Sequence, residues 1–351
     1  MTDVSGQRTG VSKGAGRKED KVRVSIRFAI FVLLMLFVTP TPLPAADKLI
    51  GIHSARVLSQ TMPWVAQEAG LFKKYNLNFD LVFIASAPSA TAAMLSGGAE
   101  ISLGGGEGAI RAYVQGATDF VFLAGFKNVL THSILARPDI KRPADLKGKK
   151  IGINRIGSNP HYFAVQALRR SGIDPAEVNF MQSGGSPETL AALLSGSLDA
   201  AALNPPADAQ ALANGLHYVI YGPELRLPYP ATVFVTRRTI LAKRQPVLGQ
   251  FLRAMAEAGK IIHTDKEFVY KVLGKYLRVS DRKVLDAAYN GEVKFLETKL
   301  EINNEGIQAV LEEVSKVDPR AKKLNTQELI DRRFLNEMDK SGFFDKLWGQ
   351  G

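Results

Sequence analysis

The chain has 351 residues, 46% of them hydrophobic, which is enough for a full core and more than one average domain. Lys and Arg exceed Asp and Glu by 45 to 34, a formal charge of +11, yet no dense basic patch interleaved with aromatics is present, which argues against a nucleic-acid partner. Cysteine is absent, so disulfides, thiol nucleophiles, Cys-based metal sites and a lipid-attachment cysteine are excluded.

At the N-terminus, Lys21, Arg23 and Arg27 precede an unbroken apolar run over 28–38, and the segment ends on the small residues Ala45 and Ala46. This order predicts a cleavable secretory signal with cleavage near Ala46, the run being short of the ~20 residues a membrane span takes. An uncleaved anchor is the alternative. Residues 1–46 carry seven basic and three acidic residues, which leaves 38 and 31 in the remainder, a net +7. That balance favours anionic solutes.

From residue 47, short apolar runs alternate with helix-like stretches. Strands are predicted over 48–53, 79–84, 100–103 and 120–125, then 150–153, 178–182, 200–203 and 218–221. Helices are predicted over 63–75, 88–97, 107–116, 160–172, 187–196 and 206–214. This alternation points to an α/β fold with parallel-rich sheets. Beyond about 236 the strand signal fades, and 246–263, 266–277, 281–295, 303–317 and 326–346 read as a helical layer.

An internal repeat organises the first part. Residues 88–100 (PSATAAMLSGGAE) align with 187–199 (PETLAALLSGSLD), and Ile50-Gly51-Ile52 aligns with Ile151-Gly152-Ile153. Matches in the same order over about 100 residues indicate two similar lobes. The chain is expected to cross between them near 126–134 and 225–236. Lobe one then combines 47–130 with 236–351, and lobe two is 131–235.

In parallel α/β sheets, ligands bind at the loops beyond the carboxyl ends of strands. In the first lobe those loops hold Ser54 and Arg56, Ser86 and Ala87, then Gly105, Gly106 and Glu107. In the second they hold Arg155, Ser158, Asn159 and His161, Gly185 and Ser186, and Asn204. Asn159, Ser186 and Asn204 are expected to cap helices, so the second lobe would bind through side chains and the first through free N–H groups around Ala87 and Gly105. Arg155 and Arg56 are the expected holders of an anion's charge, and Trp64 and Tyr162 open the helices after the matched strands.

Gly104-Gly105-Gly106-Glu107-Gly108-Ala109 fits a dinucleotide fingerprint formally, but it follows the third strand of its lobe and lacks the downstream acid. No cofactor is expected. The five histidines form no H-x-x-x-H or H-E-x-x-H, so no metal site is expected either. There is no G-x-S-x-G elbow.

Several motifs then become familiar together. Ala66-Gln67-Glu68-Ala69-Gly70-Leu71-Phe72, the start of a second lobe at Asp145-Leu146-Lys147-Gly148-Lys149, and the turns at Leu95-Ser96-Gly97 and Leu194-Ser195-Gly196 resemble the nitrate/sulfonate/taurine group of ABC-transporter substrate-binding proteins (SsuA/THI5-like, NMT1-type). The resemblance runs from about residue 48 to the end. It implies a type II periplasmic-binding-protein fold, two lobes joined by two hinge crossings, with a small ligand in the cleft. It also implies a monomeric, periplasmic, non-enzymatic protein with an importer permease and ATPase as partners. Sulfonate-binding members often carry an aromatic where this chain has Asn204. An enzyme on the same scaffold, such as a thiamine-pyrimidine-precursor synthase, and a ligand-sensing module for a membrane receptor are the competing readings.

Overall fold

The computed structural model describes residues 46–349, together with Gly6 and Gly10; the expected secretory signal lies outside the described residues. Ten strands form two five-stranded sheets. In chain order they are β1 (Asp47–His53), β2 (Leu77–Phe83), β3 (Ile101–Gly104), β4 (Phe120–Val129), β5 (Ser133–Ala136), β6 (Lys150–Ile153), β7 (Asn179–Gln182), β8 (Ala200–Leu203), β9 (His217–Ile220) and β10 (Pro228–Arg237).

The first sheet runs β2-β1-β3-β10-β4 and the second β7-β6-β8-β5-β9. Each is built the same way: three parallel strands, then two antiparallel partners. The antiparallel fourth strand of each sheet follows a strand of the other sheet in the chain. Between β4 and β5, and again between β9 and β10, the chain therefore passes from one sheet to the other. Neither β5 nor β10 is among the expected strands. β5 is only four residues long, and β10 is buried along nearly its whole length, so no alternation marks it.

The repeat has a packing reason. A Cβ on Gly51 would stand 2.4 Å from Phe79 Cζ, and one on Gly152 would stand 2.4 Å from Leu198 Cδ1. Each Ile-Gly-Ile strand is paired on both sides in its sheet, and its glycine gives room to a side chain folded over it.

The helices of the first lobe are α1 (Met62–Glu68), α2 (Leu71–Lys74), α3 (Ala87–Leu95) and α4 (Glu107–Val114). Gly70, at φ 71°, separates α1 from α2 where one continuous helix was expected. The second lobe holds α5 (Asn159–Arg170), α6 (Ser186–Leu194) and α7 (Ala207–Ala213). The C-terminal layer comprises α8 (Arg238–Thr264), α9 (Lys266–Leu277), α10 (Arg282–Asn290), α11 (Asn304–Ser315), α12 (Arg333–Lys340) and α13 (Phe343–Trp348). α8 starts eight residues earlier than expected and bends at Arg244, two residues before Pro246, as a proline inside a helix requires. Among the described residues no helix is long and apolar enough to cross a membrane.

α8 anchors the first lobe. Phe251 is fully buried, with its ring centroid 4.9 Å from that of Phe79, 5.9 Å from Phe234 and 6.4 Å from Phe72. It thus ties the C-terminal layer to β2, β10 and α2. Phe251→Ala is expected to lower unfolding free energy by about 3–5 kcal/mol, the usual cost of a large core truncation, as measured by urea unfolding.

Candidate functional site

The loops beyond β1, β2, β6, β7 and β8 converge between the two sheets and enclose a small inner chamber of about 30 Å³. A larger mouth of about 250 Å³ adjoins it, and the two share Ser54, Ala55, Val57, Asn154, Ser186 and Asn204. Nine of the candidate positions line these spaces: Ser54, Arg56, Ser86, Ala87, Ser158, Asn159, Gly185, Ser186 and Asn204.

The other five are placed differently. Arg155 is exposed and outside both walls: the chain bends directly after β6, and Asn154 lines the chamber in its place. The Glu107 carboxylate is buried away from the cleft, accepting from Arg111 Nε at 2.7 Å and from Tyr229 Oη at 3.3 Å. Burial pushes its pKa up, against the pull of Arg111. Gly106 is a packed turn whose N–H donates to Pro230 O at 2.8 Å, and a Cβ there would stand 2.8 Å from Phe122. His161 sets its ring edge-on to Phe180, and its Nδ1 accepts from Gly157 N at 3.2 Å. Gly105 contributes by having no side chain: a Cβ there would stand 1.8 Å from Asn159 Oδ1. Asn159 reaches from the second lobe into this gap and donates through Nδ2 to Ala231 O of β10 at 3.1 Å, which latches the lobes together.

Capping also differs from expectation. Ser158 and Gly185, not Asn159 and Ser186, occupy the N-cap positions of α5 and α6. None of the helices α3 to α7 has a side-chain cap. In the outer layer Asp265, Asp281 and Asn303 do cap α9, α10 and α11. Free N–H groups therefore face the cleft from both lobes rather than from the first alone. Ser86 precedes α3 at φ 73°, ψ 143°, a backbone region nearly reserved for glycine, and it lies on the chamber wall.

The charged group of the chamber is one the sequence did not single out. Lys127 of β4 is buried and pairs with Glu292, which follows α10 and is also buried. Lys127 Nζ donates to Thr131 Oγ1 at 3.2 Å as well. Glu292 Oε1 accepts from Thr131 Oγ1 at 3.2 Å and Oε2 from Ser59 N at 2.8 Å. Ser59 Oγ accepts from Thr232 Oγ1 at 2.9 Å. Gln60 Oε1 accepts from Ser54 N and Ala55 N, both at 2.8 Å, and so shapes the loop after β1. His132, in the first crossing, lines the chamber beside Lys127. Burial, with the Lys127 charge adding to it, pushes its pKa down to about 3.

His53 and Trp64 act as struts. His53 Nδ1 bonds Ala55 O at 3.2 Å, and its ring stands edge-on to Trp64 and Phe83. Trp64 stacks on Tyr276 at 4.8 Å. Tyr162 packs against Tyr229 at 4.6 Å. Among the described residues no cluster of three His, Asp or Glu is placed to hold a metal ion.

With this geometry in hand, comparison with known proteins is informative. The NMT1/THI5-like family model matches residues 59–267, more than half of the chain, and the protein belongs to that family. A Brachyspira hyodysenteriae protein described as an ABC transporter periplasmic binding protein is 28% identical over 145 residues. The match spans 41% of each chain, so this chain covers less than half the length of that relative. The alkanesulfonate-binding protein SsuA of Xanthomonas axonopodis pv. citri, solved with MOPS, superposes with a TM-score of 0.68 at 18% identity, over 82% of this chain and 99% of that one. A Cys→Ser mutant of the desulfurization enzyme DszB, with biphenyl-2-sulfinic acid, superposes with a TM-score of 0.64 at 15% identity, over 84% and 99%. The shared architecture is the periplasmic-binding-protein fold.

Two outcomes are expected of the chamber. Lys127→Met leaves Glu292 buried without its partner and costs about 3–5 kcal/mol in urea unfolding, whereas Lys127→Met/Glu292→Gln recovers most of that loss. The second outcome concerns pH. With its folded pKa depressed, His132 stays neutral while the unfolded chain takes up a proton below pH 6.5, so its contribution is complete above 6.5 and falls as pH drops toward 3. Between pH 7 and 5, wild type should lose about 2 kcal/mol more than His132→Gln.

Proposed function

We propose that this chain is the periplasmic solute-binding component of an ABC-type importer, which captures a small solute in the cleft and hands it to a membrane permease driven by an ATPase. The observation that carries this reading is the chamber itself. Loops from two lobes, each crossed into by the other's chain, meet around one cavity with uncapped helix N-termini and buried polar side chains. Such a cleft closes by rotation at the two crossings. Family membership and the periplasmic binding relatives support it. The basic N-terminal stretch and the apolar run after it support export.

The fold alone does not decide between binding and catalysis, because DszB shares it. The binding reading is favoured by the absence of cysteine, which leaves no thiol for the kind of chemistry that a Cys→Ser mutant is made to arrest. It is also favoured by the pairing of Lys127, on the chamber wall, with the buried Glu292 in a structural contact. The protein works as a monomer in this reading.

A thermal-shift screen across sulfonates, carboxylates, amides and inorganic anions tests it. A cognate solute at 100 times its Kd should stabilise the protein by about 2.7 kcal/mol. Asn204→Trp, which fills the shared wall of chamber and mouth, should fold and lose that response. Stabilisation that survives Asn204→Trp, or chemical turnover of the solute, would overturn the proposal.

A further inference from the structure

Resting on the solute-capture reading, we infer that the cleft selects solutes with an uncharged head that both donates and accepts hydrogen bonds, of the carboxamide or urea type, carried on a flat apolar body, and that it discriminates against anions. Three observations lead there.

The first is charge. Lys127 is the cation of the chamber wall, and Glu292 neutralises it. At the mouth, Arg56 and Glu188 both belong to the lining, and the Arg56 guanidinium lies 4.7 Å over the Phe83 ring. The lining with Glu292 thus sums to zero. Behind it, Asp208 is buried close enough to Glu292 for the two carboxylates to repel, and burial raises the Asp208 pKa. A buried anion would meet no uncompensated cation to offset its lost hydration.

The second is the kind of polar atom left unsatisfied. Among the described residues six buried side-chain atoms lack a protein partner, and Asn154 Oδ1, Asn159 Oδ1 and His132 Nδ1 are three of them, all on chamber-lining residues. Asn159 is occupied in latching the lobes, which leaves Asn154 and His132, both more than nine-tenths buried. A carboxylate or sulfonate carries only acceptors, so it can accept from the Asn154 amide nitrogen but leaves the amide oxygen without a donor. A carboxamide offers N–H donors to it and a carbonyl oxygen to the free helix N–H groups. Those N–H groups would serve an anion equally, so the side-chain acceptor decides.

The third is size. The chamber, about 30 Å³, takes a small polar head and leaves the rest of the solute in the mouth. The mouth, walled by Phe83, Pro205, Leu277 and Val279, takes a flat ring.

Titration calorimetry of the purified protein with benzamide, benzoate and benzenesulfonate separates these heads on one body. Benzamide should bind at least ten-fold more tightly than either anion. Asn154→Leu, whose side chain gives up no protein hydrogen bond, should lose ten-fold or more in benzamide affinity with its unfolding midpoint unchanged. Undetectable benzamide binding, an anion binding as tightly as benzamide, or benzamide affinity indifferent to Asn154→Leu would each overturn the inference. Anion-preferring binding that Asn204→Trp abolishes would do so while leaving solute capture intact.

Discussion

The cleft is built around the ion pair of Lys127 and Glu292. Taking two charges out of water is costly, and a pair this buried persists only when its remaining donors and acceptors are satisfied. Here Thr131, the Ser59 amide and, through Ser59, Thr232 supply that satisfaction. The consequence is geometric. One network fastens four separate parts of the chain: the loop after β1, the hinge strand β4, the return strand β10 and the segment after α10. Two residues of the chamber lining, Ser59 and Lys127, are thus held from the C-terminal layer. The same network uses up the chamber's cationic charge in holding the protein together.

Around that floor the second lobe is held by a buried apolar seam, where Tyr162 of α5 packs on Tyr229 of β10, and by polar contacts. Asn159 fits where Gly105 has no side chain and bonds the Ala231 carbonyl, while Arg169 and Gln166 of α5 both bond Glu313 of α11. These are single hydrogen bonds and part-exposed ion pairs, each worth on the order of 1 kcal/mol or less. Opening the cleft has to break the Tyr162–Tyr229 contact as well, because one buried apolar cluster runs through both lobes. The strained backbone at Ser86 and the uncapped helix ends sit where the two lobes meet, so the groups that a solute would satisfy are concentrated at the boundary between the lobes.

Much of this was legible in the sequence, and the exceptions share a cause. The repeat placed equivalent strands and helices in both lobes, and the loop rule located nine wall positions from Ser54 to Asn204. What failed was side-chain direction and long-range pairing. Arg155 and Asn154 differ by one residue, and the bend that follows β6 buries one and exposes the other. Glu107 looked free in a glycine-rich loop, but Arg111 pairs with it one helical turn on and Tyr229, 122 residues away, donates to its other oxygen. Lys127 and Glu292 lie 165 residues apart, with no local pattern to join them. β5 and β10 were passed over because fully buried strands lack the alternation that betrays half-buried ones.

The central claim is that one solute engages both lobes at once across the chamber. Hydrogen exchange with and without a stabilising solute measures this most directly. The account predicts that backbone amides beside Ser86 and Gln60 in the first lobe and beside Asn154 and Asn159 in the second slow together, and by similar factors. Protection confined to one lobe, or centred on another surface, would contradict it.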